Sequence, residues 1–216
     1  MIGIKAEGQF SMGAMADKLF PDVLPYPETP IPYSPSGYTD YKDPLYKLPP
    51  PPSLGNYALL LAENKAKLLR AMRAGGLASE FQYLLMAMAM QETETMSEGE
   101  RDSTKDKGEA LSVNFSIFNL SAFFIKMAGT SGDYKRLNSH AALMDVVGII
   151  MANIKAMGQM RALRTIRGGA TAYLIDPTAY GAWAYPPALK RSISIMDGTP
   201  ALLYNHQRVA CNLPHV

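Results

Sequence analysis

The chain has 216 residues, 48% of them hydrophobic, and its 21 lysines and arginines nearly balance its 19 aspartates and glutamates. This length and apolar content suffice for one domain with a substantial core. The basic residues are scattered, so we expect no nucleic-acid partner. No apolar run approaches the roughly 20 residues that span a membrane, so we expect no membrane partner either.

The cysteine and histidine content argues against several kinds of site. Cys211 is the single cysteine, so no intrachain disulfide can form, and an idle thiol is the ordinary interpretation. The three histidines lie far apart in the sequence, and no zinc, nucleotide or serine-hydrolase motif is present. We therefore expect no metal and no cofactor.

The N-terminal quarter differs in composition from the rest. Residues 21–52 hold most of the prolines and five tyrosines, and they end in four consecutive prolines. Proline fixes φ and lacks an N–H donor, so we expect residues 1–53 to form an extended arm over a helical domain, residues 54–216. Alternatively, the tyrosines wall a ligand groove, or the arm docks on a partner. The arm could also carry self-association.

Two helices are predicted after the arm. Apolar residues at helical spacing indicate the first over residues 56–74, and Gly75-Gly76 ends it. Ser79 with Gln82 three residues later forms a capping box, which starts the second. This second helix is apolar on every side over residues 81–90, so it should be the buried central helix of the domain.

The second half of the chain is also predicted to be mostly helical. Residues 97–112 form a polar loop, and residues 115–127 are apolar again. Further helices are predicted from Ser139 to Met157, from Met160 to Arg167 with an end at Gly168-Gly169, and from Pro186-Pro187 to about Met196. The predicted fold class is therefore mostly α, with a buried central helix and a long proline- and tyrosine-rich N-terminal arm.

Gln91-Glu92 ends the predicted central helix beside a polar loop. Leu85, Met88 and Ala89 share a helix face with Glu92, so its carboxyl group should lie at the edge of the core. Burial and the negative end of the helix dipole both disfavour the charged form, as a general acid near neutral pH requires. The alternative is a frayed, solvated helix end.

A glycosidase needs a second group that stabilises positive charge at the anomeric carbon or activates water. The loop after Glu92 supplies candidates, of which Asp102 and Asp106 lie among three basic residues and should stay ionised. The alternative is that these carboxylates are ordinary solvated charges.

Two other groups could bind a ligand or support the fold. Arg161, Arg164 and Arg167 form a basic edge near a predicted helix end, where they complement the helix dipole or grip an anionic or sugar ligand. Trp183 and two neighbouring tyrosines can stack on a pyranose ring or pack in the core.

Several stretches of the sequence resemble a family of secreted fungal proteins. The main ones are Gln91–Met96, Arg101–Asp106, Asn114–Ser121 and Arg167–Tyr173. The order of parts also resembles the lysozyme-like superfamily of lysozymes, lytic transglycosylases and chitosanases, in which a central helix ends in the catalytic glutamate. The chain departs from that pattern in its N-terminal arm and in the lack of an alternating hairpin pattern between residues 92 and 114.

The resemblance implies roles for individual residues. Glu92 would be the acid and Asp102 the second carboxylate, with Asp106 behind it. Sugar or water would be bound by Gln91, Asn114, Asn119, Arg167, Tyr173 and Tyr180.

We therefore expect a glycoside hydrolase or lyase acting on a cell-wall polysaccharide such as chitosan, chitin or peptidoglycan. Glu92 would donate a proton to the glycosidic oxygen, and Asp102 would position water or stabilise the oxocarbenium ion. Secretion is implied by the resemblance alone, because residues 1–15 do not resemble a signal peptide, and an intracellular or processed protein is the alternative. The alternative function is a non-enzymatic effector or a self-assembling coat or filament protein.

Overall fold

The computed structural model describes residues 13–26, 55–93, 95–97, 114–173, 180–211 and 213, with side chains for all of these except 55–58, 169–173 and 180–181. These residues are mostly helical, as predicted. The helices are α1 (Ala14–Leu19), α2 (Gly55–Ala74), α3 (Ser79–Glu92), α4 (Ala122–Met127), α5 (Leu143–Met157), α6 (Gln159–Tyr173) and α7 (Tyr180–Gly198). Short 3-10 turns occupy Tyr134–Asn138, His140–Ala142 and Pro200–Leu203, and strands β1 (Asn114–Phe115) and β2 (Leu120–Ser121) pair with each other.

Helix α3 is the central helix, as the sequence predicts. Its residues Leu84 to Met90 are all fully buried, and α3 packs against α1, α2 and α7. Burial of each large apolar side chain stabilises the fold by about 1.5–3 kcal/mol. Because the helix is enclosed on every side, its last residue, Glu92, is carried into the interior as well.

The start of α3 is predicted correctly, but its capping is not. Ala78 is the N-cap, and no side chain caps the helix, so the capping box of Ser79 and Gln82 is wrong. The Gln82 side chain instead donates to the Leu77 carbonyl at 2.7 Å. The reason is the left-handed turn at Gly76 (φ 68°), which places the Leu77 carbonyl within reach of the first helical turn.

Helix α6 runs farther than the sequence predicts. It begins after Gly158 (φ 85°), where the predicted break is confirmed, but it continues through Gly168-Gly169 to Tyr173. Glycine inside a helix costs about 1 kcal/mol relative to alanine. Burial of Leu163 and Ile166 against the neighbouring helices α5 and α7 outweighs that cost.

Helix α7 begins earlier than predicted. It starts at Tyr180, and Pro186-Pro187 lie inside it rather than at its first turn. A proline inside a helix costs about 3 kcal/mol because it lacks an N–H donor and crowds the preceding turn. Ala182, Ala184 and Tyr185 are buried ahead of the prolines, and α7 packs against α1, α3 and α6, so tertiary packing overrides the local preference.

Part of the predicted N-terminal arm is helical and packs in the core. Residues 14–19 form α1, and Ala16 and Phe20 belong to the hydrophobic core. The Lys190 ammonium group fixes this segment, because it lies 2.7 Å from an Asp17 carboxylate oxygen and donates to the Phe20 carbonyl at 2.8 Å. Residues 1–12 and 27–54, with most of the predicted proline- and tyrosine-rich stretch, lie outside the described residues.

The two short strands form a hairpin that the sequence did not predict. Asn114 pairs with Ser121 and Phe115 with Leu120, and residues 116–119 make the turn. Ser121 then caps α4 by accepting a hydrogen bond from the Phe124 N–H at 3.2 Å. The hairpin turn faces the end of α3, and this contact defines the candidate site below.

One helical stretch, His140–Met157, is long and apolar enough by length and composition to cross a membrane. Of this stretch, 39% is buried inside the protein. The buried part includes Val146, Val147 and Ile150, which pack in the core beside α2 and α6. Core helices with one buried face commonly have this composition.

Candidate active site

Glu92 lies at the C-terminal end of α3 with only 1% of its side chain exposed. Its Oε2 atom accepts a hydrogen bond from Asn119 Nδ2 at 3.2 Å and lies 3.5 Å from Arg167 Nη1. Both contacts are made by the same carboxylate oxygen. The predicted edge-of-core position of Glu92 is thus confirmed, and the structure adds a cation and an amide that stabilise its charge.

The hairpin turn delivers Asn119 to Glu92. Asn119 has a left-handed backbone (φ 54°), a conformation that asparagine adopts more easily than most residues. Its N–H donates to the Ser116 carbonyl at 3.1 Å, which closes the turn. The Thr93 hydroxyl lies 3.2 Å from the Ile117 carbonyl oxygen, so the turn is also tied to the end of α3.

Helices α6 and α7 supply the other two groups at Glu92. Arg167 comes from α6 and is 15% exposed, while Tyr185 comes from α7 and is fully buried. Burial raises the pKa of Tyr185 well above its ordinary value, and the charge of Glu92 and the hydrogen-bonding approach of its carboxyl group to the Tyr185 hydroxyl add to this shift. Glu92 Oε1 and the Tyr185 hydroxyl both lack a partner at hydrogen-bond geometry among the described residues. One carboxylate oxygen therefore has two polar partners, whereas the other is buried and has no partner of that geometry in the described part of the chain.

The C-terminal segment 202–211, which we call the strap, fixes the end of α3 from the opposite direction. Gln91 Nε2 donates to the Cys211 carbonyl and Gln91 Oε1 accepts from the Cys211 N–H, both at 2.8 Å. Arg208 Nε donates to the Met90 carbonyl at 2.6 Å, which satisfies a backbone group that the helix end leaves unpaired. The strap therefore positions Met90 and Gln91, the two residues that precede Glu92.

Lys65 on α2 anchors the other end of the strap. Its ammonium group is fully buried and donates to the carbonyls of Leu202 (2.6 Å) and Gln207. Burial lowers the pKa of Lys65 to about 7, because the charged form loses its hydration. The strap is thus held by a cation that is only partly protonated near neutral pH.

The structure brings together three of the predicted site residues, Glu92, Asn119 and Arg167. It places Gln91 in the pairing with the strap, and Asn114 opposite Ser121 in the hairpin. Tyr173 ends α6 and Tyr180 begins α7, with their side chains outside the described set, and Asp102 and Asp106 lie outside the described residues altogether.

Sequence reasoning missed the roles of Tyr185 and Arg208. Tyr185 is one of the two tyrosines beside Trp183, for which the sequence predicts either sugar stacking or core packing, and the sequence predicts no role for Arg208. Neither residue belongs to a motif, and both reach the end of α3 from more than ninety positions away in the sequence. Such contacts have no local signal, because only helix packing and the path of the strap create them.

No protein-family model matches the chain, and no curated protein matches it. Within the described ranges, no three histidine, cysteine, aspartate or glutamate side chains are grouped so that they could hold a metal ion. The described groups at the site are a buried carboxylate with an arginine, an amide and a phenol around it.

Proposed function

We propose that the protein cleaves glycosidic bonds in a cell-wall polysaccharide and that Glu92 is the proton donor. The observation that carries the proposal is the arrangement at Glu92, whose Oε2 is held by Asn119 and Arg167 while its Oε1 has no hydrogen-bond partner among the described residues. General acid catalysis requires a fixed carboxyl group with one oxygen directed at the leaving group.

The order of elements supports a lysozyme-like arrangement as part of this proposal. A buried helix ends in the glutamate, and a hairpin that follows later in the chain contacts that glutamate through Asn119. Lysozyme-like enzymes are built in this order, and secretion would follow from the same resemblance. Fold analogy alone does not establish an activity, so the proposal rests on the geometry at Glu92 and on its test.

The burial of Glu92 sets a requirement for the mechanism. Because 1% of its side chain is exposed, a substrate can reach Oε1 only if a contact around Glu92 opens, and we propose that binding separates the hairpin turn from the end of α3. Asn119 and Thr93 make the polar contacts across this seam. Polymer binding should therefore increase amide hydrogen exchange in residues 114–121, which a structural ion pair would not explain.

The proposal also makes a choice among polymers. Arg161, Arg164 and Arg167 follow one another at three-residue spacing on α6, and such residues lie along one ridge of a helix. Arg167 is paired with Glu92, whereas Arg164 meets no carboxylate among the described residues, and its positive charge repels polycationic chitosan more than neutral chitin or the carboxylate-bearing peptidoglycan. We expect activity on the latter two in preference to chitosan.

The test is release of reducing ends, or of unsaturated products for a lyase, from chitin, peptidoglycan, chitosan and β-mannan. Glu92→Gln keeps the shape of the side chain but cannot donate the proton, and should reduce activity by at least about 100-fold. Glu63→Gln removes an exposed carboxylate from α2 and serves as the matched control. Absence of activity on every polymer in a folded sample, or full activity in Glu92→Gln, would refute the proposal and leave Glu92–Arg167 as a structural ion pair.

A further inference from the structure

An open pocket of about 430 Å³ lies where α6 begins, beside α7 and the end of α1. It combines two arginines with an aromatic ring and flexible apolar side chains, namely Arg161, Arg164, Trp183, Met157, Met160 and Leu19. This volume falls within the range of sites that bind small molecules. Glu92 does not line it, so this pocket is separate from the candidate active site.

Arg164 is held in a fixed orientation in this pocket. Its guanidinium carbon lies 3.5 Å from the centroid of the Trp183 ring, a close cation–π contact. Among the described residues no carboxylate pairs with Arg164, and its Nε atom is buried without a hydrogen-bond partner. Partial burial lowers the pKa of Arg164, because the charged guanidinium loses part of its hydration.

The position of Arg164 near the start of α6 adds to its uncompensated charge. The sequence suggested that they complement a helix C-terminus, but α6 runs from Gln159 to Tyr173, so Arg161 lies in its first turn and Arg164 in its second. The helix dipole is positive there, and a cation near a helix N-terminus is disfavoured by about 0.3–1 kcal/mol. The first turn carries no acidic residue that would offset this cost.

We propose that this pocket binds a ligand that carries a carboxylate on an apolar or ring-shaped body. The stacked guanidinium of Arg164 presents a planar set of donors that matches a carboxylate, with Arg161 as the second cation at the same mouth. Met157, Met160 and Leu19 then cover the body of the ligand, since methionine adapts to varied shapes. A neutral ligand of the same shape would leave the Arg164 charge without a carboxylate partner among the described residues.

Two sources can supply such a ligand, and they differ in the body attached to the carboxylate. One is an acidic sugar unit of a polymer, and the other is a free aliphatic acid. The proposal does not depend on the activity of Glu92, because it is tested by binding alone.

Trp183 is the only tryptophan in the chain, so its fluorescence reports directly on the pocket. The full-length protein should be titrated with trigalacturonate and with octanoate, each beside a neutral counterpart, cellotriose and octanol. We expect a saturable change in Trp183 emission with at least one carboxylate, and binding at least about tenfold weaker for its neutral counterpart. The carboxylate that binds more tightly identifies the source.

Variants of Arg164 distinguish the contribution of its charge from that of its packing. Their affinities are measured by calorimetry, because replacement of Arg164 itself changes the fluorescence of Trp183. Arg164→Met should weaken carboxylate binding by about tenfold or more, and Arg164→Lys should lie between it and the wild type because lysine keeps the charge but loses the planar donors. Arg136→Met removes an exposed arginine elsewhere and should bind as the wild type does. The proposal is overturned if neither carboxylate binds at millimolar concentration, if the neutral counterpart binds equally well, or if Arg164→Met retains full affinity.

Discussion

Arg164 and Arg167 lie three residues apart on α6, about 4.5 Å along the helix axis, yet their guanidinium groups have different partners. Arg167 contacts the buried carboxylate of Glu92, so its positive charge is compensated inside the protein. Arg164 stacks on Trp183 and meets no carboxylate among the described residues. The same residue type thus stabilises the candidate active site in one case and leaves a binding capacity in the other.

We therefore expect Arg167 to contribute mainly to the stability of the fold and Arg164 mainly to ligand binding. A compensated buried ion contributes to the fold, and removal of its partner leaves a costly charge in the interior. An uncompensated cation in an open pocket contributes little to the fold, and its interactions remain available to a ligand. Replacement of each arginine by methionine should therefore change the free energy of unfolding by different amounts.

The largest difference is expected between these two substitutions. Arg167→Met should lower the free energy of unfolding by about 3 kcal/mol, because the Glu92 carboxylate then stays buried without its cation. Arg164→Met should cost about 1 kcal/mol or less, the value of a partly exposed cation–π contact. Urea unfolding of both variants measures the two values. Equal losses would break the distinction between the two regions.

Lys65 is a third kind of cation, because its buried ammonium group donates hydrogen bonds to backbone carbonyls of the strap. Because its pKa is lowered to about 7 in the folded protein, the unfolded chain binds more protons above that pH, and stability should rise with pH from about 7 toward 10.5. From pH 7 to pH 9 the gain should be about 2 kcal/mol. Below pH 7 the cost of the buried charge is present in full.

The matched variant for this titration is Lys65→Met, which has nothing to titrate at that position. Urea unfolding at pH 6, 7, 8 and 9 should show the wild type gaining stability relative to the variant as the pH rises. A constant difference across this range would mean that Lys65 does not titrate there and that its ammonium group is fully compensated by the carbonyls of Leu202 and Gln207.

Two glutamines allow the same comparison for uncharged hydrogen bonds, one beside Glu92 and one at the pocket. Gln91 exchanges two hydrogen bonds with the Cys211 backbone beside Glu92, whereas Gln159 donates one to the Leu19 carbonyl at the pocket. Gln91→Ala should cost about 2 kcal/mol and Gln159→Ala about 1 kcal/mol, since each buried bond contributes about 1 kcal/mol. Thermal or urea unfolding tests the ratio, and a larger loss in Gln159→Ala would contradict it.

The smallest expected effect concerns how Asn119 is held. Both Asn119→Ala and Asn119→Gly lose the hydrogen bond to Glu92, but alanine is also strained at φ 54° while glycine is not. The glycine variant should therefore be more stable than the alanine variant by about 1 kcal/mol. If alanine is the more stable of the two, the turn in solution does not have this left-handed backbone.

The helices of this protein could be predicted wherever local pattern and packing agree. The buried α3, the stop after α2 and the break at Gly158 all follow from apolar periodicity and from glycine at helix ends. The ends of α6 and the start of α7 could not be predicted, because Gly168-Gly169 and Pro186-Pro187 are local breakers that tertiary burial overrides. The hairpin escaped because each of its strands has only two residues, too few to show an alternating pattern.

By itself, the sequence determined that a carboxylate would end a buried helix, since an all-apolar run followed by Glu92 leaves that group at the boundary of the core. Only the tertiary structure decided what surrounds that carboxylate, because Asn119, Arg167 and Tyr185 come from three separate elements that helix packing brings to one point. It also decided which arginine is free for a ligand. Spacing along α6 is the same for Arg164 and Arg167, and only the partner that each one meets makes them different.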